Sequence, residues 1–470
     1  MVRQVGTRPE PRSDQPAAEA RPPRSREDAV ILSNQQLAGL PGQPEAQRRL
    51  AWSLAEHATP LFGVGGLLFP DSCGKIQHMA LQLGNVEFDK PLPQETHQGL
   101  MGVWQQLFQE MSPQTHFSVV CADRQGEQSV QQLVERSGID PARVSILPAN
   151  SEKGMSIWIR DSMLPVRDSQ GLSKLLIQDR TYWPGPEDNR VAPLLDEAHP
   201  QISSQAHPAL RIDGGNVLSN RRHSVVGSDS IRHTRARLQE LAQDPERLRE
   251  IEDFYRQASG QEPGPHMWED LPRLVFENEF QRPVLVVARE REQPAFHIDM
   301  TMTPIGDYKF LVGDPSMAIQ ALESLSPQQR DEVNRSMALQ AGITSGEDLV
   351  QKLIDANGST ETQANYDATA QELAEAGYAI ERVPALMGLR TTWSVPYLTY
   401  NNCMIEDYTD NLGFQVRKVY LPQYGCEPLD RMAEDIYRCN GFEVVPLEMG
   451  SISKLEGAIR CSSYALERAF

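Results

Sequence analysis

Short apolar runs alternate with amphipathic stretches along most of the chain after residue 45, and Gly, Pro, Asn or Asp bounds nearly all of them. Residues 118–123, 144–149 and 157–166 are short and apolar, which predicts strands. Residues 127–137 repeat apolar side chains at helical spacing, which predicts a helix. Many short strands with helices between them are typical of an α/β fold.

Two regions interrupt this alternation. Residues 231–282 and 316–377 are charged, rich in Gln and helical in pattern. Further strands are predicted at residues 210–218, 297–305 and 395–406, so the β-rich core continues on both sides of each region. We therefore interpret the two regions as helical insertions in that core.

The first 45 residues have a different composition. They contain seven prolines and no aromatic residue, and residues 1–26 carry six arginines against three acidic residues. Such a segment buries too little apolar surface to offset its ordering entropy, so it is predicted to be disordered. A linker, a cloning remnant and a signal for targeting or non-classical export all fit this Pro/Arg-rich tail. The sequence thus predicts a tail at residues 1–45 and a folded domain at residues 46–470.

The composition limits the classes of partner. Of the 470 residues, 39% are hydrophobic and 23% charged, and the formal net charge is −19. A nucleic-acid-binding protein usually presents a basic face, so nucleic acid is not an expected partner. No apolar run reaches the roughly 18 residues of a membrane helix, and no N-terminal stretch resembles a Sec signal. A cytoplasmic protein is expected, and a homo-oligomer is left open.

Six cysteines are scattered through the sequence without a CxxC pair or a zinc-type cluster. This spacing is unlike that of a small disulfide scaffold. No cofactor and no metal are therefore predicted. Cys461 differs from the other five because small residues surround it and the cation Arg460 precedes it. A nearby cation lowers the pKa of a thiol and favours the reactive thiolate.

Four short motifs place ionisable side chains among small residues. They are Trp-Ile-Arg-Asp at residues 158–161, Asp-Gly-Gly-Asn at 213–216, His-Ile-Asp at 297–299 and Gly-Ala-Ile-Arg-Cys-Ser at 457–462. In a strand, residues two apart face the same side, so His297 and Asp299 are expected to project together. A turn, a surface salt bridge or a buried thiol would explain each motif taken alone. The four motifs together in one sequence are more specific than any one of them alone.

In this order the four motifs resemble the guanidine-modifying, or pentein, superfamily. The resemblance is strongest to agmatine deiminases and bacterial peptidylarginine deiminases, and the C-terminal Arg-Cys-Ser resembles that of arginine deiminases. It covers about residues 110–470. It implies a pseudo-fivefold α/β propeller around a central site, here with the helical insertions and the disordered tail.

The resemblance also implies roles for individual residues. Cys461 matches the nucleophile and His297 the general acid/base. Asp161 and Asp299 match the carboxylates that hold the guanidinium, and Asp213 matches the acid beside the histidine. Two positions depart from the usual pattern: Asp213 stands where Glu is more common, and one glycine precedes the nucleophile where a pair is common. The motif residues Trp158, Arg160 and Asn216 are expected to contribute to substrate binding.

The expected reaction is hydrolysis of a guanidino group to a ureido group and ammonia. Carboxylates suit a guanidinium cation, whereas an amide hydrolase needs N–H donors for its oxyanion. Amidino transfer at the same site, or a binding protein that keeps the fold without turnover, is the alternative. The sequence leaves open whether the substrate is arginine, agmatine or an arginine side chain of a protein. Free arginine would need a cation for its carboxylate, and the candidates are Arg180, Arg211, Arg390 and Arg460.

Overall fold

The computed structural model describes residues 61–63, 65–87, 90–177, 185–289, 291–344, 346–388 and 395–470. The predicted disordered tail, residues 1–45, lies outside these ranges, as do Arg180 and Arg390. Within them, every helix is too short or too polar to span a lipid bilayer.

Strands and helices alternate through the described chain. The strands are β1 (Leu67–Leu68), β2 (Lys75–Leu83), β3 (Val86–Glu87), β4 (Lys90–Pro91), β5 (His116–Cys121), β6 (Val144–Pro148), β7 (Leu164–Arg167), β8 (Ser173–Ile177), β9 (Ile202–Ala206), β10 (Val217–Ser219), β11 (Ser224–Gly227), β12 (Val284–Val287), β13 (Met302–Pro304), β14 (Lys309–Asp314), β15 (Ala379–Leu386), β16 (Leu398–Thr399), β17 (Met404–Thr409), β18 (Gln415–Gln423), β19 (Glu443–Glu448) and β20 (Ser463–Ala469). The α-helices are α1 (Gln94–Glu110), α2 (Arg124–Ser137), α3 (Ile159–Ser162), α4 (Val191–Ala198), α5 (Ser228–Leu241), α6 (Pro245–Ser259), α7 (Met267–Phe280), α8 (Pro315–Glu323), α9 (Pro327–Ala341), α10 (Leu349–Asn357), α11 (Thr360–Glu375), α12 (Glu427–Cys439) and α13 (Gly450–Ser453). Four 3-10 helices cover Pro141–Arg143, Asp188–Arg190, Gly214–Asn216 and Ile298–Met300.

Five sheets share one strand pattern, in which a first strand pairs antiparallel with a second and the second pairs parallel with a third. These trios are β20-β2-β5, β7-β8-β9, β10-β11-β12, β13-β14-β15 and β17-β18-β19. In four of them the strands follow one another along the chain. In the first sheet, β20 from the C-terminal end pairs with β2 from the N-terminal part, with Met79 opposite Ala465.

Parallel neighbours need a crossover connection, and helices supply it in each sheet. The regions predicted to be helical insertions lie in two of these crossovers. Helices α5, α6 and α7 connect β11 to β12, and α8 to α11 connect β14 to β15. The apolar faces of the crossover helices pack on the sheets, as Trp104 of α1 does when it is buried with Val119 of β5.

The chain begins and ends its helices at recognisable capping residues. Asp123 caps α2 by accepting a hydrogen bond from the backbone N of Gly126 at 2.9 Å, and Gly138 ends the helix with a φ of 70°. Val130 and Leu133 on the buried face of α2 join the main hydrophobic core. Local sequence signals thus explain where this helix starts, stops and packs.

Three predicted strands begin later than their sequences indicate. Residues 159–162 form α3, residues 214–216 and 298–300 form 3-10 helices, and β7, β10 and β13 follow them. Residues 400–403 likewise separate β16 from β17 inside the strand predicted at 395–406. A few alternating apolar and charged residues fit one helical turn as well as a strand end, so periodicity does not distinguish the two.

Candidate active site

Five short segments, each directly before the first strand of one of the five repeated sheets, meet inside the protein. Residues 457–462 precede β20, and the other four are residues 158–163, 213–216, 297–301 and 400–403. Hydrogen bonds and ion pairs link all five segments to one another. The repeated topology therefore collects residues that are as far as 300 positions apart in sequence, such as Arg160 and Arg460.

The thiol of Cys461 lies in a tight turn that leads into β20, and its side chain is buried. Asn402 fixes this turn, because its Oδ1 accepts hydrogen bonds from the backbone N of Ala458 at 3.1 Å and of Cys461 at 3.2 Å. Its Nδ2 donates to the sulfur at 3.0 Å. Gly457 allows the close packing, since a Cβ there would lie 2.3 Å from the ring of Trp158. The position of the sulfur is thus set by neighbours on two other segments.

His297 lies between two carboxylates. Its Nδ1 is 3.8 Å from Oδ1 of Asp161, and its Nε2 is 3.8 Å from Oδ2 of Asp213. The imidazole is buried, whereas the Asp213 side chain is 36% exposed. A Cβ on Gly215 would lie 2.4 Å from Nδ1 of His297, so only glycine fits there. Both distances allow ion pairing with a protonated imidazole but exceed a hydrogen bond.

Two buried carboxylates carry oxygens that lack a hydrogen-bond partner among the described residues. These are Oδ1 of Asp161 and Oδ1 of Asp299. Nδ1 of His297 is likewise buried without a hydrogen-bond partner among the described residues. Oδ2 of Asp299 lies 3.8 Å from the sulfur of Cys461. Leaving a buried polar atom without a partner costs about 1–3 kcal/mol, more when it is charged. A ligand with several N–H donors would satisfy these atoms.

Arg460 balances part of this negative charge from within the protein. Its guanidinium donates to Oδ2 of Asp299 at 2.6 Å, to Oδ1 of Asp71 at 3.0 Å and to the carbonyl oxygen of Val217 at 2.9 Å. Oδ2 of Asp299 therefore accepts from Arg460, while Oδ1 is left available to a ligand. Among the arginines considered for a substrate carboxylate, Arg460 is already engaged by two carboxylates.

Arg160 and Trp158 support the turn at Cys461 through contacts inside the protein. The Nε of Arg160 donates to the carbonyl oxygen of Arg460 at 2.6 Å, and its guanidinium lies 4.0 Å from the ring centroid of Tyr464. The indole Nε1 of Trp158 donates to Oε1 of Glu87 at 3.0 Å. These contacts hold Arg160 and Trp158 against the turn at Cys461, and a contribution of either residue to substrate binding stays a prediction.

Asn216 is also occupied by protein partners. Its Nδ2 donates to Oγ of Ser230 at 3.1 Å, and its Oδ1 accepts from Nε2 of Gln293 at 3.0 Å. The side chain is 1% exposed. We therefore interpret Asn216 as the residue that anchors the Asp213 turn to the helix behind it.

Comparison with known proteins identifies the fold. No protein-family model and no curated protein matches the sequence. A structural genomics target with a provisional description as an agmatine deiminase is similar with a TM-score of 0.53 and 14% identity, over 85% of this chain and 95% of that chain. A Cys-to-Ser variant of the C. jejuni agmatine deiminase with substrate bound is similar with a TM-score of 0.51 and 10% identity, over 85% and 95%. The chain has the mixed α/β fold of these pentein structures.

Burial and charge set the ionisation of Cys461 and His297, the two central groups of this candidate site. Burial raises the pKa of the Cys461 thiol and the charge of Asp299 raises it further, although the hydrogen bond with His297 lowers it. Burial lowers the pKa of His297, but the charge of Asp161 and the hydrogen bond with Cys461 outweigh it and raise the pKa above its ordinary value. The predicted lowering of the Cys461 pKa by Arg460 is wrong, because Asp299 and Asp71 already neutralise that cation. A cationic substrate would favour the thiolate in its place.

Asn402 is the site residue that the sequence motifs do not reveal. Asparagine is a common turn residue, so Asn401-Asn402 before a strand predicts only a turn. The signal that identifies Asn402 is positional. It lies before the first strand of its sheet, in the place that Asp161 and Asp299 occupy before theirs.

The same side chains are a candidate metal-binding group. One ligand atom from each of His297, Asp299 and Cys461 lies within 4.8 Å of the others. A soft divalent cation such as Zn²⁺ would bind a thiolate and an imidazole there, and it would occupy the space in front of the sulfur. We expect such an ion to compete with a substrate.

Replacing Asn402 with Asp tests how the sulfur is positioned. The substitution keeps an oxygen acceptor for the backbone but removes the Nδ2 donor and places a negative charge beside the thiol. The pKa of Cys461 should rise further, so the pH profile of its alkylation by iodoacetamide should move to higher pH. A hydrogen bond of this kind contributes about 1.5–3 kcal/mol, so turnover should fall about 10- to 100-fold. Unchanged alkylation and turnover in a variant with wild-type Tm would contradict this role.

Proposed function

We propose that the chain is a cysteine-dependent hydrolase that converts a guanidinium group into a ureido group and ammonia. The observation that supports this best is the environment of the Cys461 thiol. Asp161 and Asp299 each present a carboxylate oxygen without a hydrogen-bond partner in the described structure, and His297 is hydrogen-bonded to Cys461 while its Nδ1 lies 3.8 Å from Oδ1 of Asp161. A guanidinium is a planar cation whose N–H groups suit carboxylates. An amide substrate would instead need N–H donors for its oxyanion.

In the first step the substrate guanidinium binds between Asp161 and Asp299. Its N–H groups donate to the carboxylate oxygens of both residues that otherwise lack a partner. These contacts hold the central carbon of the guanidinium beside the sulfur. The bound cation also offsets the negative charges that raise the pKa of Cys461. Binding of the correct substrate therefore promotes formation of the nucleophile.

Chemistry then proceeds through a covalent intermediate. The sulfur of Cys461 forms a bond to the guanidinium carbon, and one C–N bond breaks as its nitrogen accepts a proton from His297 and leaves as ammonia. The neutral His297 next takes a proton from water, and the resulting hydroxide attacks the S-linked carbon. Breaking the C–S bond restores the thiolate and leaves the ureido product, while the last proton converts ammonia to ammonium in solution.

Asp213 has a supporting part in this scheme. Its carboxylate is 3.8 Å from Nε2 of His297 and stabilises the protonated imidazole that the first step needs. Its exposure of 36% places it on the solvent side of the ring, opposite the buried Asp161. His297 is thus held between a buried and a more accessible negative charge.

The five repeated sheets are proposed to form a pseudo-fivefold propeller around this site. Each sheet contributes one segment at the equivalent position before its first strand, and the five segments are linked by hydrogen bonds and ion pairs. A central axis accounts for both the equivalence and the contacts. The same axis explains why the proposed nucleophile Cys461 and the two carboxylates Asp161 and Asp299 precede strands of three different sheets.

An ammonia-release assay tests the proposed reaction. Arginine, agmatine and a short arginine-containing peptide are each incubated with the enzyme, with and without an added acceptor amine. We expect at least one substrate to release ammonia and form an equal amount of ureido product without the amine. Product formed only when the amine is present would indicate amidino transfer. Binding of all three without turnover would indicate a non-catalytic protein.

A further inference from the structure

A second group of histidines lies outside the candidate active site. His78 on β2 is directly opposite His116 on β5 in the parallel register, and His199 follows the last residue of α4. One ring nitrogen of each histidine lies within 4.8 Å of the others. His78 and His199 are buried and His116 is half-buried, so the group has one side towards solvent.

The histidines are connected by serines. Oγ of Ser118 is 2.8 Å from Nε2 of His78 and 2.7 Å from Nε2 of His199, while Nε2 of His116 is 2.9 Å from Oγ of Ser145. A hydroxyl has one proton, so Ser118 donates to one imidazole and accepts from the other. The ring centroids of His78 and His199 are 4.7 Å apart, and those of His78 and His116 are 5.0 Å apart. Three imidazoles from three elements thus converge on one small volume.

The three histidines match a ligand set that zinc uses. One ring nitrogen of each lies within 4.8 Å of the others, and the half-buried His116 leaves one side of the group open. Three imidazoles with an open side are a common ligand set for zinc.

We propose that His78, His116 and His199 bind one Zn²⁺ ion, with water as the fourth ligand. Zinc–nitrogen bonds of about 2.0–2.1 Å in a tetrahedron place the nitrogens about 3.3 Å apart, so the rings rotate inward from their present spacing. Ser118 then exchanges its imidazole contacts for a hydrogen bond to the zinc-bound water. The exposed edge of His116 gives the ion a route from solvent.

The proposed ion has a structural consequence. His78 and His116 belong to the sheet that contains β20, whereas His199 lies between α4 and β9 of the next sheet. Zinc would therefore join two of the five sheets by bonds that do not depend on hydrophobic packing. The site uses none of the residues assigned to guanidino chemistry, so it is independent of the proposed reaction.

Zinc binding by the Cys461→Ser protein tests this proposal, because that substitution weakens the other candidate group at His297, Asp299 and residue 461. Titration against a chromogenic zinc chelator should show one ion per chain. The substitution His116→Asn should weaken zinc at least about 100-fold, since it removes a direct ligand. The matched control His233→Asn, on the exposed face of α5, should leave the affinity within about threefold.

Two further measurements allow the proposal to be tested even if the His116→Asn protein does not fold. The substitution Ser118→Ala retains all three ligands and should retain zinc, and Co²⁺ should give the intense visible absorption of a tetrahedral site. No stoichiometric zinc, or equal zinc affinity in a folded His116→Asn protein, would overturn the proposal. Loss of zinc in Ser118→Ala with the three histidines intact would also overturn it.

Discussion

Replacing Cys461 with serine should lower ammonia release by at least about 10³-fold. A serine hydroxyl does not ionise near neutral pH, whereas in the proposed mechanism the Cys461 sulfur becomes an anion when the substrate cation binds. The protein should remain folded, because the hydroxyl can still accept from Nδ2 of Asn402. The measurement is the initial rate of ammonia release, with a thermal melt of the same sample.

The other cysteines provide matched controls for this result. Cys439 is exposed, and Cys403 is buried with its sulfur 3.2 Å from the hydroxyl of Tyr437. Burial raises the pKa of Cys403 to about 11, so it stays protonated near neutral pH and is a poor nucleophile. Serine at either position should keep activity within a few-fold of wild type. Full activity in Cys461→Ser would refute the mechanism.

The substitutions Asp161→Asn and Asp299→Asn should each reduce kcat/KM by about 10²-fold or more. Each removes one charge from the buried pair of carboxylates that is proposed to hold the guanidinium. Both charges also raise the pKa of Cys461 in the absence of substrate. Each variant should therefore be alkylated faster than wild type at a given pH while it turns over substrate more slowly. Slower alkylation in both would contradict the assignment.

The same two variants should differ in stability. Asp299 is 0% exposed and pairs with the buried Arg460, so Asp299→Asn leaves part of a buried cation unbalanced at a cost of about 3 kcal/mol. Asp161 has no arginine partner of this kind in the described structure, and Asp161→Asn should unfold close to wild type. Asp71→Asn is the control, since it weakens the Arg460 pair without altering the face towards Cys461. It should lower the Tm but retain most of kcat/KM.

The sequence motifs predict which residues lie together better than they predict the conformation of the segments that carry them. Asp161, His297, Asp299 and Cys461 come together as expected, because local motifs of polar and small residues mark the point where each chain segment enters a strand. The segments themselves are short helical turns, which a few alternating residues cannot distinguish from strand ends. The α/β class follows from the alternation of elements along the chain.

Other parts of the site depend on tertiary contacts that no local pattern encodes. Arg460 is adjacent to Cys461 in sequence, yet its guanidinium points to Asp71 and Asp299. Asn402 lies 59 positions before the thiol that it contacts. The pairing of β20 with β2 likewise joins opposite ends of the described chain, and nothing in either strand alone selects that partner.

That pairing has a consequence for synthesis. The turn that carries Cys461 and the strand β20 that follows it are synthesised long after their partner strand β2. Until β20 emerges, the first sheet lacks an edge strand and the thiol is still within the translation machinery. The surroundings of the Cys461 thiol therefore form only after β20 has been made and has paired with β2, so the assembly of this site depends on a late contact between distant parts of the chain.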